Sequence, residues 1–363
     1  MKIPFIRLND QYQELKMEID GQIKDVLDSG IYVSNRKNES LEKEFSSFCG
    51  KKFGLTCNGG TAALHLALLS CGIKPGDEII TTANTFIATT EAIAHAGAKP
   101  VFVEIKDDFT IDPDKIEEKI TSKTKMILPV HLYGQPADMD KIISIASRHN
   151  LLILEDCSQA HGATYNGKRV PITRGAFSFY PTKNLGTIGE GGIVLTDEQA
   201  ELDLLKSYRI HGMKEKHNHV YIGYNYKMGE IEAAVLSEKL KKLDEWNERR
   251  RSIAKRYSTE IKNPLVQVPV EDNRSKHVYH VYCLRVKDRT HFQTYLHGLG
   301  IDTQIHYPTP IHLQGAFSYL GYKKEDLPIT EQIVSEIVSL PIYPHMNKEE
   351  VDYVIEKINA YSK

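Results

Sequence analysis

The chain has 363 residues, a hydrophobic fraction of 41%, a charged fraction of 26% and a formal net charge of -2. That length exceeds one small core and suits a large domain with a smaller companion, in an ordinary globular composition. The near-neutral balance gives no electrostatic case for nucleic acid or an anionic membrane, and no stretch stays apolar long enough to span a bilayer.

The N-terminus, Met1-Lys-Ile-Pro-Phe5, has no long apolar core after its positive charge, so a cytoplasmic protein is expected. The five cysteines, Cys49, Cys57, Cys71, Cys157 and Cys283, are odd in number and show no C-x-x-C spacing. Neither a disulfide framework nor a zinc site is suggested, and they read as reduced thiols. Cys157 lacks a surrounding Cys/His signature and reads as buried.

In chain order, Glu78-Ile-Ile-Thr81, Pro100-Val-Phe-Val103, Met126-Ile-Leu-Pro-Val130, Leu151-Leu-Ile-Leu154 and Gly192-Ile-Val-Leu-Thr196 predict strands. Between them, the runs Thr61 to Leu69, Glu91 to Ala96 and Met139 to Ala146 predict helices. This alternation implies an α/β architecture, a mostly parallel sheet with helices on its faces. From Glu230 to Trp246 apolar positions recur at helical spacing, predicting one long polar helix that leads out of the large domain. Beyond it, a strand over His280 to Val286 and a terminal helix over Lys348 to Ile358 suggest a compact α+β unit. The expected division is 1–240 for the N-terminal segment and large domain, and 241–363 for the small one.

Two residues point to chemistry. Asp156 ends the apolar run that begins at Leu151, placing a carboxylate at the carboxyl end of a strand, where sheet enzymes place ligand-facing groups. Lys183 sits in the small-residue segment Ser178 to Gly192. A lysine that condenses with an aldehyde and an acid that pairs with a pyridine nitrogen are what pyridoxal phosphate requires. Taken singly, a loop lysine is a solvated charge and an Asp at a strand end is a helix cap. The turn Asn58-Gly-Gly-Thr61 opens a helix, whose N-terminal N–H groups favour a phosphate.

These residues and their neighbours carry a resemblance. Asn58 to Leu64, Pro75 to Ile80, Thr85 to Thr89, Pro129 to Gly134, Glu155 to Gly162, Ser178 to Gly192, Gly223 to Met228, His306 to Pro308 and Leu340 to Pro344 follow in one order over nearly the whole chain. Together they resemble the DegT/StrS family of nucleotide-sugar aminotransferases, which have the aspartate-aminotransferase, or fold type I, architecture. The resemblance implies that Lys183 binds the cofactor covalently, that Asp156 pairs with its pyridine nitrogen and that Gln159 bonds its phenolic oxygen. Gly60, Thr61, the Ala62 backbone and Ser178 would hold the phosphate, Phe86 would lie on the ring, and Asn225 would reach the phosphate from the second subunit of a homodimer. It further implies transfer of an amino group from L-glutamate to a ketone on a nucleotide-linked hexose. The product amino sugar could serve lipopolysaccharide O-antigen, capsule, S-layer or antibiotic synthesis.

Tyr180, His306 and Tyr307 resemble positions near the sugar in relatives that act on 3-keto sugars, and His312 is expected to line the same pocket. Gly223 to Met228 and Gly59 to Leu64 resemble enzymes that act on 4-keto sugars, so the aminated carbon stays open. No metal is expected, and His131, His161 and His211 receive no catalytic role. Three positions depart from the common pattern: Gly59 where many relatives have Ser, Lys227 where many have Arg, and Ser34-Asn-Arg-Lys-Asn38 in place of a Gly-Pro turn. Two other functions share this fold. One is a sugar dehydratase, against which Lys183 argues because dehydratase relatives carry His there; the other is a regulatory protein that keeps the cofactor without turnover.

Overall fold

The computed structural model describes residues 1–362. Three helices, α1 (Leu8–Glu14), α2 (Lys16–Ser29) and α3 (Arg36–Phe48), precede the sheet. The sheet strands that follow begin with β1 (Phe53–Cys57), β2 (Glu78–Thr82), β3 (Lys99–Val103), β4 (Thr124–Ile127), β5 (Leu152–Ile153) and β6 (Glu155–Asp156). Strand β2 pairs in parallel with β3 on one side and β4 on the other, and β4 pairs in parallel with β5. Strands β5 and β6 are one run interrupted at Leu154, whose N–H still reaches Ile127 O at 3.2 Å. Beyond β6 the sheet continues through Gly175–Ser178, parallel to it, then Gly192–Thr196 and β1, both antiparallel to their neighbours.

Every residue of β2 is buried, which explains the apolar and threonine sequence that follows Glu78: a parallel strand covered on both faces has no solvent side. Cover on one face comes from α4 (Gly60–Ser70), which packs against α5 (Ala88–His95) and against the antiparallel strands. Helix α4 has no polar face, and Leu64, Leu66 and Leu68 are each at most 1% exposed. Burying each contributes about 1.5–3 kcal/mol. Helix α6 (Met139–His149) covers the parallel strands through Met139, Ile142, Ile145 and Ala146.

The predicted long helix is two helices, and the expectation of one is corrected. After α7 (Gln199–Arg209), helix α8 (Glu230–Leu240) stops and α9 (Leu243–Glu260) begins. Lys242 N–H bonds back only three residues, to Lys239 O at 3.0 Å, which tightens the turn and re-aims the chain. The break lets Trp246 fold onto Val235 with Leu15 and Ile19 from α2 and the residue before it. A second apolar core then forms around the antiparallel pair Tyr282–Arg285 and Ile337–Leu340. It gathers α9, α10 (Arg289–Gly298) and the terminal helix Lys348–Asn359, with Ile3 from the opposite end of the chain. That terminal helix starts with a capping box in which Asn347 and Glu350 each accept from the other's backbone N–H.

Because α4 is enclosed, replacing Leu66 with Ala leaves a void that cannot collapse. A loss of about 2–5 kcal/mol is expected, read from the shift in denaturant midpoint.

Candidate active site

At the carboxyl end of β6, Asp156 is 5% exposed and faces a cavity of about 400 Å3. Its Oδ2 accepts from the Thr89 hydroxyl at 2.8 Å, and its Oδ1 from the Ser158 N–H at 3.1 Å. Since Thr89 gives its proton to Asp156, the 2.9 Å contact between Thr85 and Thr89 must run from Thr85 to Thr89. The carboxylate is thus fixed by donors from two elements. Behind it, His131 Nε2 lies 2.9 Å from Glu155 Oε2, while His131 Nδ1 accepts from Ala137 N–H at 3.1 Å. Burial works against the Glu155 charge, but donors from His131 and Thr173 outweigh it and hold the carboxyl below its ordinary range. Cys157 Sγ lies within 4.8 Å of both groups, yet His131 and Glu155 are engaged with each other and with backbone donors, so the trio serves as a buried platform for Asp156.

Across the cavity, Lys183 sits on the loop that leaves the strand Gly175–Ser178. This loop is closed by Lys183 N–H to Tyr180 O at 2.9 Å and Thr187 N–H to Phe179 O at 2.8 Å. Gly186 is needed here, because a Cβ would lie 2.4 Å from Pro181 O. The buried Lys239 ammonium donates to Gly186 O at 2.7 Å, and burial alone pushes its pKa down to about 8. Burial likewise pushes Lys183 down to about 8, with the Asp156 charge opposing the shift. Among the described residues no carboxylate lies within ion-pair distance of Lys183, so its amine is not locked as an ammonium.

The third wall is the start of α4. The first helical bond is Ala63 N–H to Gly59 O at 3.0 Å, and no side chain caps the helix. The N–H groups of Gly60, Thr61 and Ala62 are therefore left unpaired by the helix, at the positive end of its dipole. Gly60 lies so close to Ser178 that a Cβ would meet Ser178 Cβ at 2.6 Å, which brings the serine beside these donors. An amine, a fixed carboxylate and an anion cradle in one cavity match the aldehyde, the pyridine nitrogen and the phosphate of pyridoxal phosphate.

Gln159 is oriented by Tyr133 N–H, which donates to its Oε1 at 2.6 Å, and its Nε2 donates to the Tyr307 hydroxyl at 3.2 Å. Burial and the Asp156 charge raise the Tyr307 pKa, so the group stays a phenol. Burial, with the Lys183 charge, lowers His306 to about 4, and its Nδ1 lies 2.9 Å from Ser339 Oγ. Phe86, 51% exposed, packs on Tyr307 with ring centres 5.4 Å apart.

Of the predicted site residues, Gly60, Thr61, Phe86, Asp156 and Gln159 line this one cavity with Ser178, Tyr180, Lys183, His306 and Tyr307. Ala62, buried in the first turn of α4, does not line the cavity. Asn225 does not line it; the residue is exposed, and its carbonyl accepts from the Asn58 side chain at 3.5 Å. His312 does not reach the cavity either, contrary to expectation. Its imidazole is buried, with Nε2 3.1 Å from Glu331 and its ring against Tyr322. Sequence reasoning did not find Thr85, Thr89, Glu190 or His280, which also line the cavity. The four-residue spacing of Thr85, just before α5, and Thr89, in its first turn, is the one local signal among them.

The DegT/DnrJ/EryC1/StrS aminotransferase family profile matches residues 13–359. The chain is 45% identical over 362 residues to the dTDP-3-amino-3,6-dideoxy-alpha-D-galactopyranose transaminase of Aneurinibacillus thermoaerophilus, covering 99% of each chain. It is 44% identical over 367 residues to a pleiotropic regulatory protein of Geobacillus stearothermophilus, again over 99% of each. Among solved structures it superimposes on DesV of S. venezuelae with a TM-score of 0.97 at 40% identity, over 99% of this chain and 98% of that one. Matches of that extent, on a cavity built around Lys183 and Asp156, make the chain a member of the DegT/DnrJ/EryC1/StrS aminotransferase family, a fold type I enzyme whose cofactor is pyridoxal phosphate.

Proposed function

We propose that this aminotransferase moves an amino group from L-glutamate to the C3 or C4 ketone of a nucleotide-linked keto-hexose or keto-deoxyhexose. The observation that carries this reading is the unpaired, half-buried Lys183 amine sharing a cavity with Asp156 in a chain 45% identical, end to end, to a transaminase named for a dTDP-3-amino sugar. That name favours C3, as does Tyr180 beside His306 and Tyr307 at the cavity.

When bound, pyridoxal phosphate supplies an aldehyde and a ring that draws off the electron pair of a carbanion. Lys183 anchors it, and once free its amine moves a proton between the α-carbon of the donor and the C4′ atom. Asp156 holds the proton on the pyridine nitrogen, and Gln159 donates toward the phenolic oxygen. The N–H groups of Gly60, Thr61 and Ala62, with the Thr61 and Ser178 hydroxyls, hold the phosphate. Phe86 covers one ring face, while Tyr180, His306 and Tyr307 orient the sugar. His312, buried against Glu331, supports the fold behind this pocket.

We read the active site as shared between two subunits. Asn225 is flanked by the exposed run Val220-Tyr221-Ile222, with Ile222 91% exposed, and a second copy would cover this apolar surface and receive Asn225 at its phosphate. We divide the chain into a large cofactor domain through residue 240 and a small domain from 241. All five cysteines are free, in keeping with a cytoplasmic setting, and no described helix is long and apolar enough to cross a membrane. The regulatory reading takes its support from the name of the Geobacillus relative, and turnover separates it from catalysis.

L-glutamate should convert the lysine-linked absorbance band of the loaded protein to that of pyridoxamine phosphate, and a keto nucleotide sugar should restore it. Lys183→Ala should lack both the band and turnover; a band that glutamate leaves unchanged would favour the regulatory reading. In cofactor-free protein only the neutral Lys183 amine can attack, so cofactor attachment should be slow at low pH and rise through about 8. Asp156→Asn removes the charge that supports the ammonium and should move that midpoint down; a midpoint near the ordinary lysine value of 10.5 would refute the burial argument. Mixing Asn225→Ala with Lys183→Ala subunits should rebuild one intact site per mixed dimer. Activity should recover to about a quarter of wild type for random pairing, whereas no recovery would show that each subunit works alone.

A further inference from the structure

His280 lines the cavity with Lys183 and has no role in the chemistry above. Its surroundings decide which of its nitrogens bears the proton. Asn247 Nδ2 donates to the His161 carbonyl at 2.8 Å, so Asn247 Oδ1 is the acceptor for Asn184 Nδ2, also at 2.8 Å. Asn184 Nδ2 gives its second proton to the Val278 carbonyl at 3.0 Å. Both amide protons of Asn184 are thereby used, and its Oδ1 faces His280 Nδ1 at 3.2 Å. Only an Nδ1–H can satisfy that contact. The relay from Asn247 through Asn184 thus leaves Nε2 with its lone pair and, among the described residues, without a protein partner.

The groups around this imidazole keep it neutral. Burial acts first, then the charges of Lys183 and Arg250, with His306 and His161 adding to the same effect; together they hold His280 well below the ordinary 6.5. The carboxylates at the cavity, Asp156 and Glu190, make no bond to it. The relay is also tied to the lysine through the chain, because Asn184 follows Lys183 directly.

We propose that His280 is a positioning residue for Lys183, its free Nε2 lone pair accepting from the lysine amine once that amine has swung off the bound cofactor during the half-reaction. A neutral acceptor suits this task. A carboxylate at the same place would hold the lysine as an ammonium, whereas a neutral imidazole aims the amine at the reacting carbon and leaves its proton transferable. The inference rests on the aminotransferase reading for its chemistry, while the tautomer assignment stands without it.

The tautomer is tested on cofactor-free protein by 15N NMR of labelled histidine, with His280→Gln locating the resonance. The expected pattern is a protonated Nδ1 and a bare Nε2, unchanged from about pH 6 to about pH 9. An Nε2–H tautomer, or titration within that range, would overturn the proposal. The role is tested with loaded protein by following the glutamate half-reaction in His280→Phe and His280→Gln. The Phe variant keeps a ring and loses the acceptor; its rate should fall about 10- to 100-fold with the glutamate KM little changed, and the Gln variant should regain most of the rate. An unimpaired Phe variant, or equal losses in both with normal cofactor absorbance, would overturn it. Should wild-type protein show no half-reaction, the donor assignment fails and the NMR result alone decides the state of His280.

Discussion

The Asp156 N–H donates to Pro129 O at 2.9 Å, and the Asp156 carbonyl accepts from His131 N–H at 3.0 Å. With the Leu154 bond to Ile127, these contacts join the parallel half of the sheet to the half that ends in β1. The residue that closes the sheet therefore also points its carboxylate into the cavity. Backbone pairing on both sides fixes the side chain's origin, and Thr89 and Ser158 fix its direction. A shift of Asp156 would have to pull neighbouring strands away from each other, so the position of the charge is as firm as the core.

Burial then sets the electrostatics around that point. Glu155 keeps its charge in the interior because donors surround it. Lys183 and Lys239 have few such partners and lose basicity. Groups of opposite charge thus take opposite courses, and the difference lies in the count of hydrogen bonds, since burial acts on all three. Lys239 has a mechanical task besides: its bond to Gly186 pins the loop that displays Lys183.

The legible regions of this molecule are those encoded locally. Leu151 to Asp156 reads as a buried strand because no polar residue interrupts it before Glu155, and β2 and β3 announce themselves similarly after their first, charged residue, whereas β4 begins at Thr124-Lys125 and shares only Met126 and Ile127 with the predicted Met126 to Val130. The turn at Lys241 and Lys242 was hidden because apolar spacing continues through it to Leu243 and Trp246. Phe53–Cys57 and Gly175–Ser178 were missed, being short and containing glycine. Within the site, Lys183 and Asp156 stood out through their motifs, whereas Thr89 meets Asp156 from 67 residues away and His280 meets Asn184 from 96. Nothing local marks a contact of that range. His312 shows the converse: it lies in a stretch near other site residues, yet Glu331 draws it into the core.

The enclosure of α4 bears on how long the cofactor stays bound. A transaminase releases its lysine from the cofactor in every cycle, so the covalent bond cannot be what retains the ligand between half-reactions. Retention falls to the phosphate, whose proposed donors stand at the head of a helix with no solvent face and no competing cap. Such donors need no ordering when the anion arrives, and little of the binding free energy is lost to fixing them. The tether and the reacting end are thereby separated: one is held by rigid backbone for many turnovers, the other is made and broken by a single side chain.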